Sequence, residues 1–483
     1  MPVRRPAGGK WGLFIMRNFL RSMLLTGAGA VLVTPVLAQP DPRLGAMEEQ
    51  LRGMHAEIVD LKKAQTAASA APRVGLDNGR LTVTSADGAF SIAVRALLQY
   101  DYGYFAQGRA PAGVDLSSGS NFRRAQFGVT GTAWRDWSYN LTFDFGGNGL
   151  ESPGYIYNAF IQYDGLKPFG FRIGAYTPAA GIEDQTGSAD LIFLERPAAV
   201  DAARNIAGSP ARNAASIFVQ DASYFLSASI TGDKVNVGAT RALATPVYDE
   251  QLAFVGRASW LAVNTADAKW LLDANLTHVF KPGDTAPGIA PLPGALNNVG
   301  LFSGPEIAID PLVRTVNTGG FDTDTVTEYG FETVGTLDAL YVQGGWFHTA
   351  INHRNAAIVS PDFSGWYAVA TWSLTGEQHP YDPATASFRQ IRPAKGLGSG
   401  GFGSLELKAR WSHINLDLNP LTPAASGGVI GGIQDVWTMG LNWHPTNGIR
   451  FGLDYNNIKV NHVNAPATDI SADAVALRTQ LSL

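Results

Sequence analysis

The sequence predicts an all-β fold: a sixteen-stranded antiparallel transmembrane β-barrel, preceded by a short N-terminal periplasmic coiled-coil helix. Three observations carry that expectation. Runs of about ten residues alternate polar and apolar side chains with the period of two that a strand imposes. Aromatic residues gather near the ends of those runs, and the connections between them are polar and unequal in length. Beyond the N-terminal region there is no run of about twenty apolar residues to span a membrane as a helix, a condition a barrel need not meet.

The clearest run is Asn121 to Gly146, NFRRAQFGVTGTAWRDWSYNLTFDFG. Arg124, Gln126, Gly128, Thr130 and Thr132 share one face, and Ala125, Phe127, Val129, Gly131 and Ala133 share the other. After Trp134 to Trp137 the alternation resumes, with Ser138, Asn140, Thr142 and Asp144 against Tyr139, Leu141, Phe143 and Phe145. A soluble antiparallel sandwich would give the same pattern. Strand length, aromatic placement and unequal loops favour a barrel, apolar toward lipid and polar toward a wet lumen.

From the N-terminus, residues 16–38 read as a secretory signal: Arg17 and Arg21, an apolar core from Met23 to Val33, then Val36-Leu37-Ala38. Residues 1–38 are therefore expected to be a signal peptide, with Met16 as an alternative start. A membrane anchor is the competing reading, and the short apolar core argues against it. Leu44, Met47, Leu51, Met54, Ile58 and Leu61 then recur at spacings of three and four. That is the seam of a short coiled coil, or one face of a single amphipathic helix. Ala67 to Pro72 reads as a linker, so 39–72 form the periplasmic segment and 73–483 the barrel. The chain has no cysteine, which excludes disulfides and thiolate metal sites, and its net charge of −5 argues against nucleic acid as a partner.

The strands are expected at 90–104, two within 121–146, then 155–163, 169–176, 216–231, 234–242, 251–262, 269–280, 325–336, 339–349, 363–374, 404–414, 435–444, 449–459 and 472–483. Gly232-Asp233 reads as a tight hairpin between the sixth and seventh. With the N-terminus in the periplasm, connections should alternate long outside and short inside, and they mostly do: 177–214, 281–324 and 415–434 fall outside, and 134–137, 164–168, 232–233 and 337–338 inside. The segment 375–403 is long yet falls on the short-turn side. Lipid cannot satisfy a free strand edge, so every edge must pair, and sixteen strands enclose an aqueous channel.

The strand phases turn Arg95, Arg124, Arg172, Arg257, Lys408, Arg410, Arg450 and Arg478 toward the lumen, together with Asp101, Asp144, Asp273, Glu328, Glu332, Glu406 and Asp454. Opposed rows of charge make a transverse field, whereas a filter for one sign needs that sign to dominate the narrowest section. For each arginine, a salt bridge to a neighbouring carboxylate competes with a role in guiding anions. Arg123 is out of phase with Arg124 and is expected at the outer rim. The loop 177–214 is long enough to suggest function, and its Leu191, Ile192, Phe193 and Leu194 suit a barrel wall better than water. It is expected to enter the lumen and narrow it. Its charges Glu183, Asp184, Asp190, Glu195, Arg196, Arg204 and Arg212 are the candidate constriction residues, with an acidic excess that Asp201 enlarges. The histidines lack metal spacing and the glycine-rich GSGGFG at 398–403 lacks the residues of a phosphate loop, so no catalytic residue, metal or cofactor is expected.

Several stretches resemble one known family: FRRA at 122–125, AWRDWSYNLTFDF at 133–145, YNAFIQYDGL at 157–166, FRIGAYTPAAGIEDQTGSADLIFLERP at 171–197, WSLTGEQHPYD at 372–382, LELKARWSHINLD at 405–417 and MGLNWHPTNGIRFGLDYN at 439–456. From about residue 75 to 483 the chain resembles the phosphate-selective porins of the O and P type. The resemblance implies a homotrimer of barrels in outer-membrane lipid, a third loop that narrows each barrel, and lumenal arginines and lysines that guide anions. Arg123 and Arg124 match the family's paired arginines on the second strand. Thr177 stands before Pro178, where the family usually has a lysine. The expected function is passive diffusion of small hydrophilic solutes, anions such as phosphate among them. The anion preference is expected to be modest, without a tight phosphate site. A barrel-based outer-membrane enzyme and a structural envelope tether are the rival readings, and single-channel conductance separates both from a porin.

Overall fold

The computed structural model describes residues 42–77, 79–111, 114–147, 154–208, 211–235, 250–283, 298–309 and 313–483. The expected signal peptide lies outside the described residues. The chain divides into two compact units, the second beginning at Ala70.

The described residues of the first unit lie in a helix, α1 (Pro42–Ala70), whose last residue opens the second unit. It takes in Ala67 to Ala70, which the sequence had assigned to a linker, because alanine is the best helix former of all residues. Met47, Leu51, Met54, Ile58 and Leu61 are each about half exposed along it.

The second unit is a closed antiparallel barrel. Its strands are β1 (Ser91–Arg109), β2 (Gly119–Ala133), β3 (Trp137–Asp144), β4 (Tyr155–Tyr163), β5 (Phe169–Tyr176), β6 (Arg212–Gln220), β7 (Tyr224–Lys234), β8 (Leu252–Asn264), β9 (Ala268–Lys281), β10 (Phe321–Leu337), β11 (Leu340–His353), β12 (Asp362–Ser373), β13 (Ser404–Leu418), β14 (Val429–Thr446), β15 (Ile449–Asn461) and β16 (Ile470–Ser482). Each strand pairs with the next, and β16 closes on β1 with Leu477 opposite Tyr102. A lead-in hairpin, Arg73–Asp77 with Arg80–Thr84, extends the sheet at the start of β1.

Burial is inverted relative to a soluble protein. Gln99, Asp101, Thr142, Asp144, Glu406, Lys408 and Arg410 are buried, while Leu98, Tyr100, Phe127, Leu141, Leu407 and Trp437 are exposed. This is the arrangement a bilayer selects, with apolar groups on the lipid side and polar groups inside.

The turn between β6 and β7 falls at Asp221 to Ser223, closed by Asp221 N–H donating to Tyr224 O at 2.9 Å, and not at Gly232-Asp233. The register of β6 against β7 steps from Arg212↔Lys234 to Ala214↔Thr231, so Gly232 and Asp233 form a bulge opposite Asn213. A glycine inside a strand often marks a bulge, and here that signal imitated a hairpin turn. The expected strand at 234–242 lies mostly outside the described residues.

Three segments fill the lumen. The first is the loop after β5, with α2 (Ile182–Gln185) and α3 (Ala198–Ala207). The second is the described part of the loop before β10, where Leu301, Ile307 and Val316 are buried. The third is the segment 374–403 between β12 and β13. Arg257, on the lumenal face of β8, donates to its Thr385 O and Ala386 O, both at 2.7 Å. The third segment was expected on the short-turn side, but nothing in its composition announced that it folds inward.

Candidate constriction site

A bulge in β2 builds the site. Against β1 the register steps from Gln99↔Arg124 to Tyr100↔Phe122, leaving Arg123 unpaired. A bulge re-aims the side chain beside it. Arg123 therefore turns inward with Arg124 and does not sit at the outer rim as its phase had suggested. Its guanidinium grips Glu195 with two bonds, Nε to Oε1 at 2.7 Å and Nη2 to Oε2 at 3.0 Å. Arg478 Nη2 reaches Glu195 Oε1 at 3.1 Å, and Arg124 Nη2 lies 3.5 Å from Oε2. Burial alone would push the Glu195 carboxyl up. Arg123, Arg124 and Arg478 overcome that and hold it well below the usual carboxylate range.

The loop is held in place through its main chain. Wall side chains donate to successive carbonyls: Gln99 to Ser188 O (2.9 Å), Gln480 to Ala189 O (3.0 Å), Arg450 to Leu191 O, Lys408 to Ile192 O (2.9 Å), Arg478 to Leu194 O (2.6 Å) and Arg410 to Glu195 O (2.7 Å). In return, Asp454 accepts Leu194 N–H at 3.0 Å, and Glu332 accepts the N–H groups of Ile182 (2.6 Å) and Glu183 (3.2 Å). Leu191, Phe193, Leu194 and Ile182 are buried. Phe193 lies under both Lys408 and Arg410, 5.1 and 4.4 Å from its ring centre. The apolar run DLIFLE thus fixes the loop inside the barrel.

The other candidate residues are mostly committed to near neighbours. Arg257 pairs with Asp273 at 2.6 Å, Lys408 with Asp454 at 2.6 Å, and Arg410 with Glu306 at 2.7 Å. Arg172 donates to Gln162 Oε1 at 2.9 and 2.7 Å and lies over the Phe160 ring. Arg95 is half-buried, with no carboxylate at ion-pair distance among the described residues.

Asp184 and Arg196 in the loop, and Arg212 at the start of β6, are buried. Arg196 donates to the carbonyls of Glu183, Asp184 and Thr186. Arg204 pairs with Asp184 at 2.5 Å. Arg212 takes the carbonyls of Asn205 and Ile206 at the end of α3, which a helix leaves unsatisfied. These three arginines therefore donate to the protein's own acceptors. Glu183 accepts from Gln343 at 3.1 Å, and Asp190 faces Arg389 at 3.9 Å.

Two residues escaped the sequence reading. Glu306 sits in an aperiodic loop with φ of 62°, buried, and accepts from Arg410, Ser412 and Ala198 N–H. His379 is buried in the segment 374–403, with Nε2 2.7 Å from Glu406 Oε1 and Nδ1 2.8 Å from Arg389 O. Burial would lower its pKa, but the Glu406 carboxylate raises it above the ordinary 6.5. A raised folded-state pKa means the tie is fully present below about pH 6.5 and is lost as pH rises through the raised value. Limited proteolysis within 374–403 should therefore accelerate at alkaline pH, and His379→Gln should abolish the pH step. Equal cleavage across pH in the parent chain would show that the ion pair does not hold the segment.

Two cavities flank the loop. One of about 380 Å³, on the long-loop side, is lined by Arg123, Glu195, Arg196, Lys234 and Glu306 among others. The other, about 810 Å³ on the short-turn side, is lined by Ala189, Asp190, Arg389, Arg392 and Leu481 among others. They share no lining residue, and Leu191 to Leu194 belong to neither. No metal-holding group of His, Asp and Glu occurs among the described residues.

The family described as phosphate-selective porin O and P matches residues 92–253 and 306–483. Porin O of Pseudomonas aeruginosa is 25% identical over 418 residues, covering 83% of this chain and 90% of that protein. A solved structure described as an anion-selective porin from Comamonas acidovorans is 11% identical, covers 82% of this chain and 100% of that one, and aligns with a TM-score of 0.49.

Proposed function

The chain belongs to the phosphate-selective porin O and P family and is a bacterial outer-membrane porin; on that premise we propose that it passes small hydrophilic solutes with a modest anion preference and holds no tight phosphate site. The observation that supports this reading is the pairing of lumenal charge. Arg257, Lys408, Arg410 and Arg478 each meet a carboxylate at 2.6 or 2.7 Å. Pairs that close present the pore with dipoles and no column of free cations. At the constriction Arg123, Arg124 and Arg478 face Glu195 and Asp101, three charges against two, which leaves one positive charge. A phosphate site needs several donors converging on the anion; here the convergence is spent on Glu195.

In a salt gradient across a planar bilayer, the reversal potential should lie slightly to the anion side of zero. A value near the chloride equilibrium potential would contradict the reading, and absence of conductance would overturn the channel itself.

The same reading extends to the whole chain: residues 1–38 as a cleaved signal peptide, 39–72 as a periplasmic coiled coil, and 73–483 as a barrel that trimerises within outer-membrane lipid. The exposed seam Met47, Leu51, Met54, Ile58 and Leu61 supports the coiled coil. One seam this short is marginal, and three copies anchored by barrels gain effective concentration. Cross-linking in mild detergent should trap trimers, and deleting 42–70 should reduce their yield. Monomers alone in the parent protein would refute the assembly.

A further inference from the structure

We infer that Glu195 is a tethered counter-anion: it occupies an oxyanion site formed by Arg123, Arg124 and Arg478, and it thereby sets the selectivity of the channel. This rests on the reading of the chain as a channel for small solutes.

Four observations carry it. The β2 bulge delivers Arg123 and Arg124 to one face, which a regular strand would not do. Both Glu195 oxygens are engaged, Oε1 by Arg123 and Arg478 at 2.7 and 3.1 Å, and Oε2 by Arg123 at 3.0 Å with Arg124 at 3.5 Å. Paired guanidinium forks around a two-oxygen group form the geometry that recognises a carboxylate or a phosphate. Third, the carboxylate comes from the loop and not from the wall. Its main chain is fixed on both sides, by Asp454 at Leu194 N–H and by Arg410 at Glu195 O. Fourth, Arg123 and Glu195 both line the cavity of about 380 Å³ on the long-loop side, so a solute that reaches that cavity meets the cluster.

The consequence follows from competition. An incoming oxyanion must displace a carboxylate that is always present beside the same three arginines. A tethered group acts at an effective concentration of about millimolar, so a free anion far below that cannot hold the cluster. Anions then pass without being retained. Removing the loop charge changes the local balance from three against two to three against one, with Asp101 as the remaining carboxylate.

The test compares the parent protein with Glu195→Gln, Glu195→Asp and Arg124→Gln in planar bilayers, reading single-channel conductance, reversal potential in a potassium chloride gradient, and inhibition of chloride current by inorganic phosphate. Glu195→Gln should move the reversal potential toward chloride's and lower the half-inhibiting phosphate concentration about tenfold or more, since the competitor is gone. Glu195→Asp keeps the charge but shortens its reach, and should fall between the parent and Glu195→Gln. Arg124→Gln keeps both Arg123 bonds to Glu195 and should move the reversal potential the opposite way, so the inference stays testable if Glu195→Gln misplaces the loop. Unchanged selectivity and inhibition in Glu195→Gln, or higher conductance alone, would show that Glu195 is only a staple for the loop. A parent protein that does not conduct would instead sink the channel reading.

Discussion

Deleting residues 183–195 should raise single-channel conductance several-fold. The stretch contains Leu191 to Leu194, which separates the two cavities, and it carries Glu195, which closes the arginine cluster. A sixteen-stranded wall is too wide for its own side chains to fill. The barrel itself should persist, because its hydrogen-bond ladder closes from β16 to β1 without the loop. Lys408, Arg410, Arg450 and Arg478 would lose their carbonyl acceptors, and water entering the widened lumen can replace these. If conductance stays at the parent value, the width is set by the loop before β10 or by 374–403.

The second large effect is expected for Arg410→Leu. Arg410 and Glu306 are each about 1% exposed and meet at 2.7 Å. Taking away one partner of a buried pair leaves an uncompensated charge and costs about 3–5 kcal/mol. Glu306 would keep Ser412 and the Ala198 N–H, both on Oε1, while its Oε2 would lose the Arg410 donor and its charge would go unanswered. Equilibrium unfolding in urea should show the loss, and Arg410→Leu combined with Glu306→Gln should recover much of it, because the neutral amide can stay buried with its remaining partners. A loss within about 0.5 kcal/mol, as for an ordinary surface change, would mean that water reaches Glu306 and screens it.

Regular periodicity was legible in the sequence and single irregularities were not. The faces of β1, β2, β13 and β15 follow from alternation alone, because lipid and lumen demand opposite side chains at every step. One extra residue defeats that logic. The bulge at Arg123 reverses its side with no change in composition, and the bulge at Gly232-Asp233 looks like a turn. The apolar run Leu191 to Leu194 marked the loop as a lumenal element, since burial leaves a compositional trace. The partners of Arg196, Arg204 and Arg212 were hidden because carbonyl acceptors belong to every residue and carry no sequence signal. Glu306 and His379 were missed for a related reason: each sits in an aperiodic segment and meets a partner that only the folded chain brings to it, Arg410 at a separation of 104 residues and Glu406 at 27.

The arginines of the constriction are already answered by the chain's own carboxylates. Titrating inorganic phosphate against chloride current through the parent channel at fixed ionic strength reads this directly. Current should fall only shallowly, with no saturable block at phosphate concentrations below about millimolar. Saturable block at micromolar phosphate would contradict it, because a free anion would then be winning the arginines from Glu195.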